Sequence, residues 1–299
     1  MGAHVLRRGG ILGVAILMLS CATAAPPPPP PPAADPQVQK EATKHARGIV
    51  EEGYGSLRSG GIDGLQPLVS SHVVAIGPGA TDVFTSRGDV AVAIGKAYSG
   101  GQLHRISSRE IRVMPSRSGR SAWVTDRPFI DGVPYHATAV IVENDELWEV
   151  AAISLAEASD TRRRRKGPRP GFVPGGTDPA AVQVAELFRK GLQASDRLED
   201  QLGFGRHVLA FDDEGFVAQG RKDIKKMWRK SFPSKIVLLD EPRAGITPDH
   251  ALAWVAANVD LAEPGQAPRR HRLFFVYEHA EDGWEIVSAQ DSIATSAGR

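Results

Sequence analysis

The chain has 299 residues, enough for about two domains rather than one core. Its formal net charge of +1 excludes a global field that would gather nucleic acid or a membrane surface. A single cysteine, Cys21, excludes an intrachain disulfide framework and a thiolate zinc site.

The first element is a short basic start with Arg7 and Arg8, followed by an apolar run from Gly9 to Leu19. That run is too short to span a bilayer as an ordinary helix, so it reads as an export signal. Met18-Leu19-Ser20-Cys21 resembles the bacterial lipobox, with Met where Leu is usual. The resemblance implies a signal peptide over 1–20 and a lipid on Cys21 that ties the protein to a membrane. The alternative is an ordinary signal peptide cut near Ala24, with Cys21 discarded. Residues 21–35 include Pro26 to Pro32, an extended tether rising about 3.1 Å per residue. Ala22 after the cysteine resembles outer-membrane sorting in a Gram-negative bacterium; a soluble periplasmic protein is the alternative.

Over 36–158, Asp35-Pro36 is an N-cap and first helical position, and Val38, Ala42, Ile49 and Val50 follow at helical spacing. A short strand at Val73–Ile76 precedes a second helix that starts near Asp89 and bears Val90, Ile94 and Ala97. Strands are then expected over Ile106–Val113, Ser121–Ile130, Tyr135–Glu143 and Leu147–Ala156, the last two joined at Asn144-Asp145. Residues 159–177 hold Arg162, Arg163, Arg164, Arg165 and Lys166 and then GPRPGFVPGG, an exposed linker. The basic run reads as a solvated spacer, or as a contact for anionic envelope polymers; export makes nucleic acid no partner.

The same order returns over 178–297. Asp178-Pro179 opens a helix bearing Val184, Leu187, Phe188 and Leu192; a strand at Val208–Phe211 follows, then a helix bearing Ile224, Met227 and Trp228. Strands are expected over Lys235–Leu239, Ala251–Leu261, His271–His279 and Trp284–Ile293. Four landmarks repeat in register: Asp-Pro, Arg87-Gly-Asp89 with Arg221-Lys-Asp223, Ala122-Trp123-Val124 with Ala253-Trp254-Val255, and Trp148-Glu149 with Trp284-Glu285. Helices followed by a run of antiparallel strands describe an α+β fold: two tandem cones, each a curved, mainly antiparallel sheet with helices on its concave face.

This order of elements, with its Ala-Trp-Val and Trp-Glu-Val signatures, resembles the nuclear transport factor 2-like superfamily, nearest its SnoaL-like and ketosteroid-isomerase-like domains. The resemblance implies an apolar pocket in each cone and pairing of the domains through their outer sheet faces. It is specific for fold and not for function, because this fold carries isomerases, cyclases, dehydratases and non-catalytic binders. An isomerase would need a pocket carboxylate as base and a donor for the oxyanion. Candidates in the first cone are Asp126, Tyr54, Tyr135 and Trp123, though strand alternation sets Asp126 and Trp123 on opposite faces. In the second cone they are His207, Asp212, Trp254, Asp260 and Asp291, with Asp126 aligned to Ala257, Tyr135 to His271 and Leu155 to Asp291. The polar positions thus differ between copies while the tryptophans, expected to fill the core, are shared.

No His pair stands at helical spacing with a Glu, so no metal site is expected, and no phosphate or dinucleotide fingerprint implies a cofactor. The reading favoured is a membrane-anchored, non-enzymatic module that holds a small apolar ligand or an envelope protein. The alternatives are an isomerase-like or SnoaL-like enzyme with one active pocket, using Asp126, Tyr54 or Asp260, and an adaptor acting through Arg162–Lys166.

Overall fold

The computed structural model describes residues 28–99, 103–158, 171, 175–193, 203–213, 215–231, 235–262 and 268–293. The lipobox with Cys21 and the basic run from Arg162 to Lys166 lie outside these residues. No helix among them is long and apolar enough to cross a membrane.

The first unit begins with helix α1 (Pro36–Ser59). Its N-cap Asp35 accepts a hydrogen bond from the Gln37 N–H, and Gly60 ends it in the left-handed conformation, φ 69°. Ala42 and Ala46 are its buried residues, while Val38, expected inside, is exposed. A 3₁₀ turn over Ile62–Leu68, which periodicity did not reveal, leads into β1 (Val69–Ile76) and β2 (Val83–Phe84). Helix α2 (Arg87–Tyr98) starts at Ser86, whose hydroxyl accepts from the Asp89 N–H. Two expected strands are each broken in two, giving β3 (Ile106–Ser107), β4 (Arg112–Pro115), β5 (Ser121–Asp126) and β6 (Phe129–Ile130). β7 (Val133–Asn144) and β8 (Leu147–Glu157) complete the sheet. The turn between them falls on Asp145 and Glu146, both at positive φ, one residue later than expected.

The second unit repeats this plan: α3 (Pro179–Gln193), β9 (Phe204–Phe211), β10 (Val217–Gln219), α4 (Gly220–Ser231), β11 (Lys235–Leu238), β12 (Arg243–Ile246), β13 (Leu252–Ala262), β14 (Arg269–Ala280) and β15 (Gly283–Ser292). Strand order is β2-β1-β8-β7-β5-β4 in one sheet and β10-β9-β15-β14-β13-β11 in the other. Pairing is antiparallel except where the first long strand of each sheet lies parallel to the last, β1 on β8 and β9 on β15.

Alternation along the strands sorts side chains between two faces. On the concave face of the second sheet, Phe204, Phe275 and Tyr277 pack against Phe188 of α3 and Trp228 of α4, each at most 2% exposed. The outer faces meet. Trp123, Val140 and Val142 of the first unit form one buried cluster with Trp254, Phe274 and Val276 of the second. Polar contacts join the units too: the buried Arg272 guanidinium donates to the carbonyls of Gly77 (3.1 Å) and Ala80 (3.2 Å), and Ser121 donates to Asp249 (2.8 Å). Gly245 faces Trp254 across the β12–β13 pair, where a Cβ would lie 2.5 Å from three indole atoms. Only glycine leaves room for the ring there.

Candidate functional site

The two units are alike in backbone and unlike in what fills them. Trp123 pairs with Val140 on β7, and Trp254 with Val276 on β14, so Ala137, Ala139 and Ile141 hold the register positions of Leu273, Phe275 and Tyr277. Counting from Arg87 and Arg221, Ile94 of α2 answers Trp228 of α4. Among the described residues, large buried side chains fill the concave face of the second unit, and smaller ones at the same positions leave a cavity in the first. The resulting cavity is about 180 Å³, between α1, α2 and the concave sheet. Its lining is apolar except for Tyr54 and Asp126.

Asp126 ends β5 on the concave face, buried to 2% exposure. Four donors converge on its carboxylate. Oδ1 accepts from the Arg127 N–H (2.7 Å), the Ser108 hydroxyl (2.9 Å) and the Glu110 N–H (3.2 Å). Oδ2 accepts from the Tyr54 hydroxyl (2.7 Å), which reaches in from α1. Burial, and then the neighbouring Asp126 charge, push the Tyr54 phenol well above its ordinary range, so it stays protonated and donates. A carboxylate has about four lone-pair positions. Three donors crowd Oδ1, so Oδ2 is the atom with room for a further donor from the cavity.

The other expected pocket residues fall elsewhere. Tyr135 stands beyond Ala137 on β7 and does not line the cavity. Trp123 and Trp254 face the opposite unit, because alternation places them on the outer sheet faces. His207 is exposed on β9. Asp260 shares its face of β13 with Trp254, away from the second unit's core, and lies 3.6 Å from Arg270. Asp212 is buried, and its Oδ1 accepts the Phe216 N–H (2.8 Å) to close the turn after β9.

Asp291 is buried against His271, 2.7 Å from its Nδ1, and Asp213 lies near both. Burial, and next the Asp291 charge, raise the Asp213 carboxyl to about 7. Burial opposes charge on His271, but Asp291 outweighs it and the imidazole pKa rises. His271 and Asp291 had been aligned with Tyr135 and Leu155 from sequence; the grouping with Asp213 had no sequence signal, since pairing of β14 with β15 and the end of β9 creates it. Among the described residues no group of three His, Cys, Asp or Glu side chains is arranged to hold a metal ion.

Glu149 and Glu285, each next to a tryptophan, lie on the outer sheet faces, yet Glu149 is only 8% exposed, since the outer face of the first sheet is covered and Arg87 lies 3.5 Å away.

The family model for the SnoaL-like domain matches residues 47–155. None of the curated proteins matches the chain. Solved structures similar to it include an NTF2-like protein of unknown function from Pseudomonas putida, with 14% identity, 42% of this chain and 92% of that chain covered, and a TM-score of 0.38. A putative dehydratase of the NTF2-like family from Streptomyces avermitilis shows 14% identity, 40% and 97% coverage, and a TM-score of 0.36. A ketosteroid isomerase-like protein from Erwinia carotovora atroseptica shows 12% identity, 40% and 98% coverage, and a TM-score of 0.34. The matched residues make up most of the first unit, which is a SnoaL-like domain, and the second unit repeats its α+β sheet plan.

Proposed function

We propose that the chain is a non-enzymatic binding module of the bacterial envelope, tethered through lipid on Cys21, whose first unit holds a compact apolar molecule bearing one hydrogen-bond donor. The observation that supports this reading is the lining of the 180 Å³ cavity: apolar throughout except for one fixed acceptor, Asp126 Oδ2, and the Tyr54 that donates to it. Apolar contact supplies affinity, and one placed polar group supplies orientation. Tyr54 is committed to Asp126 and so is not free to polarise a substrate carbonyl, as an isomerase of this fold would need. The enzymatic alternative keeps Asp126 as a base acting through Oδ2.

The test uses the full chain and the uncharged fluorophore N-phenyl-1-naphthylamine. Ala139→Phe places in the first cone the residue that closes the second, and it should abolish binding while the chain stays folded. Equal binding by that variant would sink the cavity reading. Turnover of a co-purified ligand, lost in Asp126→Asn with binding kept, would establish the enzyme instead. A diacylglyceryl mass on Cys21 from the native host tests the tether.

A further inference from the structure

A second depression in the first unit, of about 640 Å³, is lined by Arg58, His104, Arg105, Arg109 and Phe129 with apolar neighbours. Local folding brings these groups together. The hairpin between β6 and β7 turns on Asp131 and Gly132, both at positive φ (52° and 84°). The Asp131 carboxylate then accepts the Arg105 N–H (2.8 Å) and meets His104 Nδ1 (2.5 Å), which pins the chain leading into β3. Those two hydrogen bonds, His104's first, hold the Asp131 carboxyl below its usual range. Arg109 lies 4.2 Å over the Phe129 ring, and Arg58 Nη1 reaches the Ile106 carbonyl (3.5 Å).

Arg58 and Arg109 are thus oriented by a carbonyl and a ring, neither of which neutralises them. Among the described residues no carboxylate forms an ion pair with Arg58, Arg105 or Arg109. Asp131, the nearby acid, is hydrogen-bonded by His104 and by a backbone N–H, and it offsets part of the Arg105 charge. Three arginines line the depression against this one carboxylate, so its charge stays positive and exceeds what a single carboxylate ligand needs. Their forked donors suit the three terminal oxygens and double charge of a phosphate monoester.

We propose that this depression is a phosphate-binding site, taking the phosphate group of a small organic phosphate or of an anionic lipid headgroup. It does not depend on what the apolar cavity holds. The two sites nevertheless share chain: Arg58 follows the cavity residue Leu57, and Arg109 stands between Ser108 and Glu110, which donate to Asp126.

The experiment is calorimetric titration of the full chain at low ionic strength with inorganic phosphate and with phenyl phosphate. It is joined by co-sedimentation with phosphatidylcholine vesicles with and without phosphatidic acid. Arg105→Gln/Arg109→Gln removes two exposed guanidiniums and should weaken binding by about tenfold or more without changing the melting temperature. Arg206→Gln, exposed on β9, is the control and should bind as the parent does. Binding of the soluble phosphates alone assigns the site to a metabolite; binding only to phosphatidic acid vesicles assigns it to a lipid headgroup. Absence of saturable binding to every probe, or equal binding by the double variant, overturns the proposal. N-phenyl-1-naphthylamine binding should persist in the double variant, which separates failure here from failure of the cavity.

Discussion

Arg87 ties the start of the first sheet to its last strand: its Nε donates to the Val69 carbonyl (2.6 Å), and its Nη2 lies 3.5 Å from Glu149. The second unit repeats the device, with Arg221 donating to the Phe204 carbonyl and standing 3.4 Å from Glu285. The copies therefore share a polar pair as well as tryptophans, and its work is structural. Arg221→Ala should cost about 1 kcal/mol, chiefly from the carbonyl left without its donor, because its ion pair is largely exposed; Arg87→Ala should cost somewhat more, because the Glu149 carboxylate it faces is buried. Urea unfolding of Arg87→Ala and Arg221→Ala checks this. Losses that differ severalfold would show that the two clamps are not equivalent.

Tyr54→Phe leaves Asp126 Oδ2 in the apolar cavity without its donor. A loss of about 1–3 kcal/mol is expected, the desolvation cost of a buried acceptor left unpaired. Ser108→Ala should cost less, since Oδ1 keeps two backbone donors. Chemical denaturation of both variants gives the ranking, and the reverse order would place the critical contact on the loop instead of on α1.

His136 on β7 is buried between the units, its ring 4.7 Å from Phe211 and both ring nitrogens without a partner among the described residues. Burial, with Arg127 adding to it, lowers its pKa to about 4. The unfolded chain therefore binds a proton more readily between the ordinary value of 6.5 and about 4. Stability is lost as the pH falls through that window, by on the order of 3 kcal/mol once complete. Unfolding free energies at pH 7 and pH 4.5 for the parent and His136→Gln should show a smaller acid loss in the variant.

Asp213 acts with the opposite sign. Its folded pKa of about 7 is raised from 3.8, so the stability it contributes is full below the unfolded value and fades as the pH rises from there to about 7. Asp213→Asn should flatten the fall in melting temperature across that window, between about pH 4.5 and pH 7. An unchanged fall would mean that Asp213 ionises without cost, its charge balanced by His271.

The fold was readable because its signals are local. Asp before Pro, the alternation around Trp123 and Trp254, and the turn at Asn144-Asp145, observed one residue later, each act within a few residues. The 3₁₀ turn over Ile62–Leu68 and the short strands β2, β10 and β12 lack a period long enough to see. Asp126 and Tyr54 were legible singly, but their 2.7 Å contact spans 72 residues and needed the fold. That Trp123 and Trp254 serve the contact between units, and not the pockets, follows from which sheet face is covered. Alternation separates the faces; it does not say which one looks outward.

The parallel pairing of first and last long strands has a consequence for synthesis. Val69 waits for Val150, and Phe204 for Ile286, so neither sheet can be completed until its final strand has left the ribosome. The Trp123 face must then remain bare while the Trp254 and Phe274 face is still being translated. A nascent first unit thus passes through a sticky interval that the finished chain never shows, and a chaperone that shields apolar surface would act there.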